Sequence, residues 1–151
     1  MRRRGKGNGM SVDIQRLVVY LHLARASELR RRPLVRDRLL VIAAALAQVA
    51  GLSRIAALCR CKVLQSNPGH MLRRWEQMAE AVENEDFGGL LKQLIRRFPP
   101  EKAEQMLQSL NVEWKGQRAA YFNDEEYAAS IWGLTAEQLA RDYPLADDAA
   151  G

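Results

Sequence analysis

The sequence predicts an all-α protein, a bundle of seven or eight short-to-medium helices with no significant β-sheet. Three observations predict it. Apolar residues recur at intervals of three and four along most of the chain, the period of a helix with one inward face. Helix stops and starts punctuate it at Pro33, Gly51, Asn67-Pro68, Pro99-Pro100, Gly133 and Pro144. No convincing strand, fixed-period repeat or heptad run is found.

Residues 1–10 (MRRRGKGNGM) are rich in Gly and Arg with nothing to bury, and read as a disordered basic arm. Met10 offers an alternative start. Residues 11–144 read as one all-α domain. Ile14, Leu17, Val18, Leu21 and Ala24 form one stripe, predicting a first helix over about residues 12–31. Arg30, Arg31 and Arg32 read as its last turn, where cations suit the negative end of the dipole. Pro33 stops it. A second helix over about residues 35–50 is apolar almost all round, which marks it as central, and Gly51 ends it. Ser53 is placed as the cap of a third, with Ile55, Ala56, Cys59 and Val63 inward.

Asn67-Pro68 reads as a capping side chain followed by Pro at the first helical position. Met71, Leu72, Trp75, Met78, Ala79 and Val82 then supply the inward stripe of a fourth helix. Asn84 caps a fifth, with Glu85 and Asp86 in its first turn and Phe87, Leu90, Leu91, Leu94, Ile95 and Phe98 on its face. Pro99-Pro100 opens a sixth, bearing Ala103, Met106, Leu107 and Leu110. Residues 111–122 lose the period and read as a loop. Two short helices follow, with capping boxes at Asn123/Glu126 and Thr135/Gln138 and staples Phe122–Tyr127 and Leu134–Leu139. Residues 133–144 (GLTAEQLARDYP) locally resemble the first helix of the helix-turn-helix unit of small bacterial antitoxin-like proteins, and no function is taken from them. Residues 145–151 read as a flexible acidic tail.

Charge is divided by position. Residues 1–75 carry sixteen bases and three acids, residues 76–151 seven bases and fifteen acids, so a net +5 conceals a basic half at +13 and an acidic half at −8. Either the basic half faces an outside polyanion, or the halves neutralise each other within the fold or between copies. Eighteen of the cations are Arg, whose planar fork grips phosphate and carboxylate. Cys59 and Cys61 are too close for an unstrained disulfide, so a reduced, cytoplasmic protein is expected. The longest apolar run, residues 39–50, is too short for a membrane span, and no membrane partner is expected.

The chief candidate site is RCKVLQSNPGHMLRRW, residues 60–75. A helix starting after Asn67 would present free backbone N–H groups to an anion. Gly69 would admit the ligand, His70 donate to it, and Arg60, Lys62, Arg73 and Arg74 surround it. The alternative is that Asn67 caps its own helix and the arginines pair with Glu76, Glu80 and Glu83. A secondary basic patch is Arg30, Arg31, Arg32, Arg36 and Arg38. The order of parts in residues 52–75 permits a helix-turn-helix, but its connection is longer than the usual three or four residues. Cys59 and Cys61 diverge on a helix, so no metal site is expected with His70 or His22. No orienting group attends a Cys nucleophile with His70 as base. Glu101, Glu104, Asp124, Glu125 and Glu126 suggest no acid–base pair, and the cluster Tyr121, Phe122, Tyr127, Trp132 and Tyr143 reads as packing before partner groove. No cofactor motif is present.

The leading expectation is a non-catalytic helical adaptor that binds a protein partner or itself through its opposed halves. The alternatives are a nucleic-acid-associated protein contacting phosphates through the basic half, and an enzyme or small-anion binder at residues 67–70. Arginines 30–38 meeting acids 83–86 or 124–126 would favour the adaptor or internal pairing. A basic face free of acids would favour nucleic acid.

Overall fold

The structure is a computed structural model and describes residues 10–145. Most of the arm predicted over residues 1–10, and residues 146–151 of the predicted tail, lie outside them. Met10 does not belong to an arm: it is buried against the core, and its carbonyl accepts from the Gln15 amide at 3.1 Å. An apolar side chain next to an apolar stripe joins it.

Eight α-helices and two 3₁₀ turns make up the fold, with no strand among the described residues: α1 (Val12–Leu29), α2 (Pro33–Val49), α3 (Ser53–Ser66), a 3₁₀ turn (Met71–Arg74), α4 (Met78–Ala81), α5 (Glu85–Arg97), α6 (Pro100–Ser109), a 3₁₀ turn (Gln117–Ala120), α7 (Asp124–Ile131) and α8 (Ala136–Asp142). The all-α class predicted from periodicity holds.

Helix α2 is the axis. It packs against α1 and α3, and also touches α4 and α5. Leu39, Leu40, Ile42, Ala43, Ala44 and Ala47 have no exposure. Small side chains there let the neighbouring helices approach closely. Helices α6 and α7 lean on α1, and α7 and α8 on α3. The Tyr20 hydroxyl on α1 donates to the Phe98 carbonyl at 2.6 Å, tying the end of α5 to the core. Burial pushes that phenol up to about 12.

Three element boundaries differ from the expectation for local reasons. Helix α1 stops at Leu29, so Arg30, Arg31 and Arg32 are not its last turn. Arg30 is its C-cap, Arg31 turns left-handed at φ 59°, and the Arg32 N–H reaches back to the Ser27 carbonyl at 2.8 Å. Ser53 is the first residue of α3 and makes no cap bond; Leu52 holds the cap position. Asn67 begins no helix. It ends α3, donating its N–H to the Val63 carbonyl at 2.8 Å. The stripe from Met71 to Val82 is divided between the turn Met71–Arg74 and the single helical turn α4, with Trp75 extended between them.

Candidate functional site

No helix starts at Asn67, so the free N–H groups expected to form an anion cradle there are not presented by a helix terminus. The His70 N–H bonds the Asn67 carbonyl at 3.0 Å, closing a tight turn. His70 Nδ1 accepts the Leu72 N–H at 3.0 Å and caps the 3₁₀ turn. That nitrogen is therefore bare, and burial lowers the imidazole's pKa against a smaller opposing effect of Asp37. The imidazole spends its acceptor on the fold.

The cations around it disperse. Arg60 Nε donates to the Trp75 carbonyl at 3.0 Å. Lys62 leaves α3 in another direction and lies 4.8 Å over the ring of Trp132, the residue that caps the end of α7. Arg73 reaches the Pro68 carbonyl at 3.3 Å. Arg74 stacks 4.8 Å over Trp75 and pairs with Asp86 at 2.8 Å. Asn67 and Gly69 are exposed, with no side-chain partner converging on them. Arg60, His70, Arg73 and Arg74 thus make their contacts within the α3–α5 connection, while Lys62 turns away from it.

The secondary patch sorts into two classes. Arg36 is 14% exposed and clamped by Glu28 at 2.8 Å and Asp37 at 2.9 Å. Arg25 shares Glu28 at 3.0 Å. These acids belong to the basic half itself, so Arg36 meets neither acids 83–86 nor acids 124–126. Two other cations cross to the acidic half: Arg54 to Glu125 at 3.6 Å, and Arg74 to Asp86. Arg30, Arg31 and Arg32 are exposed and make no ion pair with any described residue, and Arg38 makes none either. They surround the α1–α2 turn, where Leu29 and Leu34 stand 69% and 70% exposed.

No family model matches the chain, and no curated protein or solved structure matches it significantly.

Sequence reasoning gave His22 no role except as a conceivable metal ligand. Its ring lies in a polar chain between α1 and α7. The Tyr127 hydroxyl has one proton, which Gln117 Oε1 takes at 3.0 Å, so His22 Nε2–H donates to that hydroxyl at 3.3 Å. Burial lowers the His22 pKa to about 4 and raises Tyr127 to about 12. A cavity of about 410 Å³ opens beside them, lined by His22, Gln117, Ala120, Tyr121, Ser130 and Ile131. A neutral imidazole so weakly basic suits hydrogen bonding better than proton abstraction at neutral pH. Trp132 is 5% exposed and lies between Arg25, 5.3 Å from its ring, and Lys62; its indole N–H is buried without an acceptor. Among the described residues no group of three or more His, Cys, Asp or Glu is placed to hold a metal. Cys59 is wholly buried and its thiol is raised to about 12, the chemistry of a small core residue. Phe122 is 89% exposed, so it does not staple to Tyr127; Tyr121 packs on that ring instead, at 5.3 Å. No described helix is long and apolar enough to cross a membrane.

A second cleft, of about 430 Å³, lies at the other end of α2. Gln48, Ala57, Arg60, Glu76, Met78 and Leu145 are among its walls.

Proposed function

We propose that the chain is a non-catalytic helical interaction protein that engages a protein partner, or a further copy of itself, through the cations at the α1–α2 turn. The observation that carries this reading is the sorting of the basic half. Cations close to the body of the bundle are already engaged by Glu28, Asp37, Glu125, Asp86 and the Trp132 ring. Arg30, Arg31 and Arg32 are not, and two exposed leucines flank them. Guanidinium and aliphatic surface side by side suits an acidic protein surface with apolar ground, where Arg is enriched. A phosphate backbone makes no use of leucine, and Glu28 and Asp37 lower the potential a polyanion would meet.

Titration of labelled duplex and single-stranded nucleic acid at two salt concentrations tests the reading. Weak binding with a shallow salt slope is expected. Tight binding that falls by about 10³-fold or more between ~50 and ~200 mM salt, the mark of six or more phosphate contacts, would overturn it in favour of a nucleic-acid-associated protein.

A further inference from the structure

We propose that the partner of the α1–α2 turn is a second copy of this chain, which receives it at the cleft at the far end of α2 and along the acidic stretch that starts at its wall. The inference rests on the interaction reading above and names its partner.

Helix α2 has 17 residues, so its ends stand ~24 Å apart. At its start, Leu29, Arg30, Arg31, Arg32 and Leu34 present unpaired positive charge between exposed aliphatic groups. At its finish lies the cleft with Met78, Ala57 and Leu145 in its walls, and Val49 beside Gln48 is 74% exposed. Glu76 at the cleft opens the stretch 76–86, which holds five acids and no base. Glu76, Glu80, Glu83 and Glu85 are exposed and make no ion pair with any described residue; Asp86 alone of the five is engaged, by Arg74. The Glu80 carboxylate accepts the Gln77 N–H and keeps its charge. Arg60 also borders the cleft and keeps its charge while its Nε–H donates to the Trp75 carbonyl, so the negative surplus lies in the stretch 76–86 and not in the cleft wall.

The turn and the acidic stretch are therefore complementary in charge, and Met78 and Leu145 at the cleft offer apolar ground to the two leucines. One copy cannot join turn and cleft, because a rigid helix holds them apart. Two copies in line can. Such a contact is heterologous, so it extends into open chains unless rotation closes a ring. A turn of six residues in a cleft of this size belongs with weak, transient contacts, below ~1,200 Å² of buried surface. Association should therefore grow with concentration and weaken with salt.

Sedimentation equilibrium on four samples tests it: wild type, Arg30→Glu/Arg32→Glu, Glu76→Lys/Glu83→Lys, and an equimolar mixture of the two variants. Wild type is expected to exceed its 17.1 kDa monomer mass increasingly with concentration. That excess should be clear at ~50 mM salt and largely lost at ~0.5 M, where screening reaches within a few ångström. Each variant alone sets like charge against like and should weaken association by about tenfold or more. The mixture restores opposite charge at every junction and should recover it. All four positions are exposed, and circular dichroism checks the helices; should either variant unfold, Arg30→Gln/Arg32→Gln gives the same loss in milder form. A wild type that stays monomeric throughout, an arginine variant that associates like wild type, or a mixture that fails to recover would each overturn the inference. A monomeric wild type with weak nucleic-acid binding removes only the second copy and leaves the interaction reading standing. Tight, salt-steep nucleic-acid binding removes the reading itself.

Discussion

Four helices finish on one left-handed residue, and one of these residues is an arginine. Arg31, Gly51, Asn111 and Gly133 take φ of 59°, 85°, 58° and 77°. In each case the next N–H reaches five residues back: Arg32 to Ser27, Leu52 to Ala47, Val112 to Leu107 and Leu134 to Ala129. Glycine accepts this geometry freely and asparagine tolerates it, whereas a long side chain is held there at a cost of about 1 kcal/mol. Arg31→Gly should accordingly raise stability in urea unfolding by up to about 1 kcal/mol; a clear loss would mean that the Arg31 side chain is itself structural. At His22 the linkage runs through protons. The unfolded chain binds a proton there up to the ordinary value of 6.5, the folded chain only up to about 4. Between the two, the unfolded state holds more protons, so stability falls as pH drops from 6.5 to 4 and levels off below. The full loss is on the order of 3 kcal/mol. His70 is shifted the same way and adds to the slope. His22→Gln should flatten most of the dependence between pH 6.5 and 5, before carboxylates titrate; an unchanged slope there would place the burden on His70.

Helix caps test the elements separately. Asn84 accepts the Asp86 N–H at 2.9 Å, and Thr135 exchanges bonds with Gln138 at 3.1 and 2.9 Å. Asn84→Ala and Thr135→Ala should each cost about 1 kcal/mol in denaturant unfolding, whereas Asn67→Ala, which removes no cap bond, should cost only a few tenths. An Asn67→Ala loss equal to the other two would restore the helix start that the backbone does not make. These residues also show what was legible beforehand. Periodicity identified the central helix, because α2 is apolar almost all round beyond Arg38, and Gly51, Gly133 and Pro99-Pro100 marked ends that the backbone obeys. Asn-Pro-Gly misled, because the same dipeptides that open helices also make turns, and only the tertiary demand on Trp75 decides. That ring packs edge-on against Phe87 at 6.1 Å, under Arg74, which requires an extended residue where a helix would have continued. The ends at Arg31 and Asn111 carried no glycine to announce them. The candidate site suffered in the same way: a list of cations along the chain says nothing of which are consumed, and Arg36 and Arg30 differ only in the neighbours folding gives them.

At the scale of the molecule, the charge division is partly spent and partly left over. Glu28, Asp37, Asp86 and Glu125 absorb the inner arginines. The surplus is left in two places, cations with Leu29 and Leu34 at the start of α2 and an acidic stretch that begins with Glu76 at the cleft by its finish. A surplus arranged in this way orients one copy toward the next and gives association a salt dependence that purely apolar docking lacks. Sedimentation equilibrium of the wild-type chain over a salt series tests this most directly. A mass that climbs above 17.1 kDa with concentration at ~50 mM salt and returns to it near ~0.5 M is the predicted result. A mass fixed at the monomer under every condition would contradict it.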